Sequence, residues 1–304
     1  MTQYTNPYPG PMPPWPPFEP YVRRLELPGS RVRLFLYDTG PADAATQPST
    51  PMLLIHGLGD EADAWRYVLP PLAADRRVLA PDLPGFGRSD KPKRAYTLTF
   101  YQEVLFELLD ALEIDRVILV GHSLGGIITH SMTLAQPQRV ERLILLDGSL
   151  VSAGGRPSLG MLLFLIPGVG EWQYNRLRKN PDAAWRSLAP FYRDLDGLPA
   201  AEREFLYQRV NERVWDDDQR RAFFSILRSM ARELPRHQKT LPQELAGLKV
   251  PTLAIWGEKD PLNSVENARR LVQLQPNARL VVIPDGGHNI HHEQPGAVVD
   301  GITD

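Results

Sequence analysis

The chain contains no cysteine, so disulfides, thiolate metal ligands and a cysteine nucleophile are excluded together. That lack fits a cytoplasmic protein, and this is the expectation. Charge of one sign is also missing: 34 Lys and Arg against 36 Asp and Glu leave a formal net charge of -2. Overall charge therefore gives no reason to expect nucleic acid or an anionic membrane as partner. Long apolar runs are absent too. The most apolar stretch, Met161 to Val169, is interrupted by Pro167 and Gly168 and falls far short of the ~20 residues needed to span a bilayer. No transmembrane segment is expected. The N-terminus, Met1 to Pro20, lacks the basic start and apolar run of a signal peptide. Dense in proline and aromatics, it reads as a polyproline-like arm lying on the surface or partly disordered.

What is present suits an ordinary globular protein: 304 residues, 42% hydrophobic and 23% charged, enough for one large α/β domain or two smaller ones. Two β-like runs, Tyr21 to Leu27 and Arg31 to Tyr37, flank Pro28-Gly29-Ser30 and predict a hairpin. Then short apolar runs alternate with helical spacing: Pro51 to His56, a helix over Ala62 to Ala74, Arg77 to Ala80, a helix over Thr99 to Leu112, Arg116 to Gly121, a helix from Ser123 to Gln136, and Val140 to Leu146. The rhythm resumes with Val250 to Trp256, a helix over Val265 to Leu274, and Ala278 to Ile283. Strands apolar throughout, separated by amphipathic helices, predict a mostly parallel sheet covered on both faces. Between the two blocks, residues 150–247 have helical spacing, no clear strand and many aromatics, among them Trp172, Tyr174, Phe191, Tyr192 and Phe223. A helical insertion over the sheet accounts for this; the aromatics can equally be the insertion's own small core. No internal repeat is found.

The sharpest local signal is Gly121-His122-Ser123-Leu124-Gly125, directly after Val117 to Val120. A serine in a tight strand-to-helix turn needs small residues two positions away on either side, which Gly121 and Gly125 supply. With Gly and Ser at average usages of ~7% each, about one chain in ten of this length carries the pattern by chance. Its place between a strand and a helix gives it weight. A serine hydroxyl needs a base, and the base needs a group to orient it. Two late loops provide candidates: Gly257-Glu258-Lys259-Asp260-Pro261 after one strand and Pro284-Asp285-Gly286-Gly287-His288 after the next. Both lie beyond carboxyl ends of strands, where open α/β sheets gather ligands. Ser123, Asp260 and His288 are the candidate catalytic residues, with Asp147, which also follows a strand, as the alternative acid. Glu258 and Asp285 read as solvated loop carboxylates, and His122 as structural. His291 and His292 lack further ligands at zinc-like spacing, so no metal site is expected.

Acyl transfer also needs donors for the developing oxyanion. The amide of Leu124, opening the helix after the serine, is one candidate. The second is the amide of Leu58 in His56-Gly57-Leu58-Gly59, with Gly57 giving the loop its freedom and His56 bracing it. Every chemical role is then filled by side chains and amides, so no cofactor is expected.

At this point the chain resembles the α/β-hydrolase superfamily. The resemblance rests on His56 to Gly59 with Trp65 downstream, Asp82-Leu83-Pro84-Gly85-Phe86-Gly87-Arg88-Ser89, Gly121 to Gly126, Gly257 to Pro261, and Gly287-His288 followed by His292-Glu293-Gln294-Pro295. It covers Tyr21 to the C-terminus. It implies an eight-stranded, mostly parallel sheet with helices on both faces, core segments 21–149 and 248–304, and an inserted helical cap over 150–247. It also implies the triad and oxyanion roles for the residues already named, and a small-molecule ester as partner. Members with Asp at the nucleophile position, such as haloalkane dehalogenases and typical epoxide hydrolases, are disfavoured by Ser123. The meta-cleavage C–C hydrolases share the Pro-Gly-Phe-Gly-Arg-Ser stretch but usually carry Trp after the catalytic histidine, where this chain has Asn289. A carboxylesterase for small to medium acyl chains is the expectation. A lipase with Met161 to Val169 as an apolar lid, a C–C bond hydrolase or haloperoxidase-type member, and a non-catalytic receptor are the alternatives.

Overall fold

The computed structural model describes residues 6–8, 10–40, 49–152 and 159–303. Eight strands form one sheet: β1 Val22–Leu27, β2 Val32–Asp38, β3 Met52–Ile55, β4 Val78–Pro81, β5 Val117–His122, β6 Val140–Leu146, β7 Thr252–Gly257 and β8 Ala278–Ile283. Their order across the sheet is β1-β2-β4-β3-β5-β6-β7-β8. β2 pairs antiparallel with β1 and β4, and every other pairing in the sheet is parallel. Strands β3, β4, β5 and β7 are buried at every position, whereas the edge strands β1 and β8 are exposed or half-buried at all but their last position. That contrast follows from position, because central strands are covered on both faces. The chain leaves β3 toward β4 and crosses back to β5 on the other side of β3. The carboxyl ends of β3 and β5 therefore flank the topological switch point.

Two core layers sit on opposite faces of the sheet. On one face lie α2 (Leu98–Ala111) and α3 (Leu124–Ala135); on the other lie α1 (Leu69–Leu72) and the C-terminal α12 (Pro295–Thr303). Helix α2 buries Tyr101, Val104, Leu105 and Leu108, a stripe at helical spacing, and starts at Thr97, whose hydroxyl accepts from the Phe100 amide. The β1–β2 tip is pinned to it by the Glu107 carboxylate, which accepts from the Gly29 and Ser30 amides at 2.6 and 2.9 Å. Between β6 and β7 the described residues form helices α4 Leu159–Leu165, α5 Val169–Arg176, α6 Pro181–Arg186, α7 Ala200–Trp215, α8 Asp217–His237 and α9 Leu241–Gly247, with no strand among them. Residues 153–158 of the expected insertion lie outside the described residues. After β7 come α10 (Val265–Leu274) and α11 (Ile290–Glu293). No described helix is long and apolar enough to cross a membrane.

Two expectations need correction. The helix expected over Ala62 to Ala74 is only a 3-10 turn, Ala62–Trp65, and the single turn α1. Pro70 and Pro71 lie in that stretch, and their missing N–H groups confine them to a first turn, so no helix can run through them. The proline-rich arm is more than a surface strand. Residues 1–5 and 9 lie outside the description, but Phe18 is buried against Tyr37, with ring centroids 5.0 Å apart. The Trp15 amide donates to the Tyr37 hydroxyl at 2.8 Å, and its ring meets Phe205 of α7 edge-on at 4.7 Å. The aromatics among the prolines are what dock it. Phe18→Ala is expected to cost about 3–5 kcal/mol in urea unfolding, as for other buried Phe truncations; a loss below about 1 kcal/mol would show that the arm contributes nothing to the core.

Candidate active site

Ser123 sits where β5 ends and α3 begins, with φ 52 and ψ -114. Such a conformation in a non-glycine residue costs about 1–3 kcal/mol and persists only when its surroundings enforce it. They do. The Ser123 amide donates to the Leu146 carbonyl at 2.9 Å, and its carbonyl accepts from Ile127 at 3.1 Å. A Cβ on Gly125 would lie 2.0 Å from the Ile55 carbonyl oxygen, and one on Gly121 2.3 Å from the Gly125 oxygen. Only glycine permits so close a crossing of β3, β5 and α3. Gly148 belongs to the same set, since its Cβ would lie 2.1 Å from the Ser123 oxygen. No motif in the sequence marks it.

The structure brings Ser123, His288 and Asp260 into one line. His288 Nε2 lies 2.9 Å from Ser123 Oγ, and His288 Nδ1 lies 2.7 Å from Asp260 Oδ2. With Nδ1–H donating to the carboxylate, Nε2 is left to accept the serine proton. Both His288 and Asp260 are buried. The other Asp260 oxygen accepts from the Leu262 and Asn263 amides at 2.8 and 2.9 Å, so the carboxylate meets three donors, His288 among them.

Asp147 is placed differently. It is fully buried, accepts one hydrogen bond, from the Gly257 amide at 2.8 Å, and leaves Oδ2 without a partner. Among the described residues no hydrogen bond joins it to His288. Burial, reinforced by the charge of Asp260, pushes its carboxyl well above the usual carboxylate range.

The loop after β3 closes on the serine: a Cβ on Gly57 would lie 3.5 Å from Ser123 Cβ. His56 fixes this loop with both ring nitrogens, accepting from the Leu83 amide at 2.9 Å and donating to the Gly57 carbonyl at 2.8 Å. Leu58 follows in that loop. Leu124 is the first residue of α3, so its amide has no intrahelical acceptor and faces the positive end of the helix dipole. His122 donates from Nε2 to the His288 carbonyl at 2.9 Å, and burial keeps its imidazole well below the ordinary histidine range. It holds the His288 backbone rather than moving a proton. His292 is likewise engaged, donating to the Ala64 carbonyl at 2.9 Å and accepting from the Tyr192 hydroxyl at 2.7 Å. His291 lies between the rings of His122 and His292, 4.2 Å from each centroid. Among the described residues no group of three His, Asp or Glu is placed to hold a metal. Glu258 and Asp285 are exposed.

Three neighbours escaped the sequence reading of the site. Phe191, just before α7, places its ring 5.8 Å from that of His288, and its carbonyl accepts from the Asn289 amide at 2.9 Å. Glu293 accepts from the Gly287 amide at 3.0 Å and the Arg193 amide at 2.5 Å, tying the turn before His288 to the helical insertion. Phe223 of α8 lies against Gly59: a Cβ there would come within 3.5 Å of its ring. Hydrophobic spacing shows that such residues are apolar, not which way they face.

A family model described as alpha/beta hydrolase fold matches residues 50–295. Among curated relatives, an uncharacterised protein of Mycobacterium tuberculosis is 30% identical over 269 residues, covering 82% of this chain and 73% of its own. A 2-hydroxy-6-oxononadienedioate/2-hydroxy-6-oxononatrienedioate hydrolase of Cupriavidus pinatubonensis is 31% identical over 263 residues, 84% of each chain. Among solved structures, Cfl2 of Burkholderia cenocepacia superposes with a TM-score of 0.77 at 25% identity, covering 93% of this chain and 94% of its own.

The buried Asp147 yields a stability test. A carboxyl with a raised folded-state pKa binds its proton more tightly in the native chain. Its stabilising contribution is thus complete below the unfolded pKa of about 3.9 and is lost as pH rises toward the folded value. Asp147→Asn removes that dependence. Relative to the parent, the variant should gain stability in urea unfolding as pH rises above about 4; a constant difference would contradict the assignment.

Proposed function

The chain belongs to the α/β-hydrolase family, and from that premise we propose that it is a serine hydrolase that cleaves carboxylic esters through an acyl-enzyme. The observation that carries this reading is the continuous line from Ser123 Oγ through His288 to Asp260, at 2.9 and 2.7 Å. Ser123 attacks the ester carbonyl while His288 takes its proton. The tetrahedral oxyanion is met by the amides of Leu58 and Leu124, worth ~3 kcal/mol each in sites of this kind. Collapse expels the alcohol, which leaves with the proton from His288. Water then repeats the sequence on the acyl-enzyme and releases the acid. Asp260 holds the imidazole tautomer and stabilises the imidazolium. Residues 150–247 act as a cap, a role supported by Phe191 and Phe223 standing beside His288 and Gly59. Cytoplasmic placement, favoured by the lack of cysteine, is part of the same proposal.

A second reading has its own support. Relatives named as hydrolases of 2-hydroxy-6-oxo-dienoates align over most of this chain, and for them the bond broken is C–C. Turnover of such a dienoate at a kcat/KM above that of any ester in a chain-length series would favour it.

The experiment is a p-nitrophenyl ester assay with fluorophosphonate labelling. Ser123→Ala is expected to abolish both turnover and label. Asp260→Asn should lower kcat by about 10⁴-fold, as loss of the orienting carboxylate does elsewhere, whereas Asp147→Asn should change it less than about tenfold. Retained turnover in Ser123→Ala would sink the enzyme assignment, and the reverse ranking of the aspartates would overturn the choice of acid.

A further inference from the structure

The outer face of α4 and α5 carries the densest exposed apolar surface of the described chain. Eight large hydrophobic residues are exposed, and four of them, Leu162, Leu163, Ile166 and Trp172, fall within eleven positions, with Trp172 59% exposed. Together they amount to a few hundred Å², a size at which a patch marks an interaction site. We propose that this knuckle is a docking surface for a lipid bilayer bearing anionic headgroups.

The charge around it singles out that occupant. The chain as a whole is balanced, but residues 159–179 and 217–237, which build the knuckle and the helix beneath it, hold eight Arg and Lys against four Asp and Glu. Arg228 of α8 donates to the Leu165 carbonyl at 2.9 Å and pairs with Glu171 at 2.7 Å, fixing the α4–α5 turn to α8. A groove of about 500 Å³ opens beside it, lined by Arg220, Arg221, Arg228 and Arg232 together with Ser225, Glu171 and Asp217. Arg176 lies 5.1 Å above the Trp172 ring. Aliphatic tips with an aromatic and arginines at their margin are the composition of interfacial membrane segments, where apolar burial and attraction to anionic lipid add. A second copy of the chain would bring the same cationic rim against itself.

The inner side of the same helices faces the site. Phe164 of α4 meets Phe223 edge-on, with centroids 6.2 Å apart, and Phe223 lies against Gly59 of the loop that reaches Ser123. Helix α4, Phe223 of α8 and the Gly59 loop thus lie between the proposed lipid surface and the nucleophile. Esters carried in a bilayer are the substrates this arrangement suits. That last step rests on the serine-hydrolase reading; the docking itself does not.

The test is sedimentation of the full chain with phosphatidylcholine vesicles, with and without about one-third phosphatidylglycerol. Binding is expected only with the anionic lipid, weakened at high salt as screening requires. Leu162→Ser combined with Ile166→Ser should lower partitioning about tenfold or more, and Arg232→Glu severalfold, with thermal midpoints unchanged. Ser123→Ala should bind as the parent does, so failure of the catalytic reading leaves this result standing. Three outcomes would overturn the proposal: no binding to the anionic vesicles, binding indifferent to these substitutions, or a solution dimer that the Leu162→Ser and Ile166→Ser pair dissociates.

Discussion

Everything at the site depends on the close passage of three backbones around Ser123. The end of β5 is squeezed between the Ile55 carbonyl under Gly125 and the Ser123 carbonyl against Gly148. The strained turn is held by hydrogen bonds to Leu146 and Ile127 and by strands buried on both faces. A cost of about 1–3 kcal/mol is small against a core of this size. In return the hydroxyl stands clear of the sheet, beside the loop from β3 and over the first amides of α3. A larger residue at any of these crossings would move the serine relative to its partners before it changed the fold.

The two aspartates near the site show how environment divides similar side chains. Asp260 and Asp147 both follow strands and both are buried. Asp260 accepts two amides and the imidazole N–H; Asp147 accepts one amide and has an oxygen with none. Donors stabilise a carboxylate and burial without them stabilises the acid. Burial and the neighbouring charge of Asp260 both push the Asp147 carboxyl up. Geometry and electrostatics thus agree on which carboxylate faces the imidazole.

How much could be read from the residues alone varied with the type of signal. The sheet was legible because central strands are apolar at every position, and α2 and α3 because their stripes keep helical spacing. The short turns at Ala62–Trp65 and Leu69–Leu72 were not, since apolar spacing continued through Pro70 and Pro71. The docked arm was hidden by its composition: Trp15 and Phe18 pack, but the prolines around them read as solvent-exposed. Ser123, Asp260 and His288 could be named from loop positions after strands. Asp147 stays open as the alternative acid at that level, because chain order fits either. Gly148, Phe191 and Phe223 act through direction and close approach, which a linear pattern does not encode.

The insertion is tied to the core unequally, and that bears on which part of it can move. On one flank of Ser123, Glu293 joins the Gly287 turn to Arg193, and Tyr192 reaches His292. Beyond these contacts, Glu202 pairs with Arg66, Arg209 with Asp63, and Arg213 with Glu61, while Arg88 links Asp63 to Asp82. These ions are almost fully buried, and parting one such pair costs about 3–5 kcal/mol because it leaves a charge stranded. Helix α7 and residues 191–193 are therefore fixed. Helices α4 and α5 are held to α8 by ring contacts among Phe164, Tyr174, Phe223 and Phe224 and by the part-exposed pair of Arg228 with Glu171. Apolar contacts of that kind can be exchanged for others without stranding a charge. Helices α4 and α5 thus lack the buried ion pairs that fix α7, although Arg228 also donates to the Leu165 carbonyl and Arg220 to the Asn175 side chain.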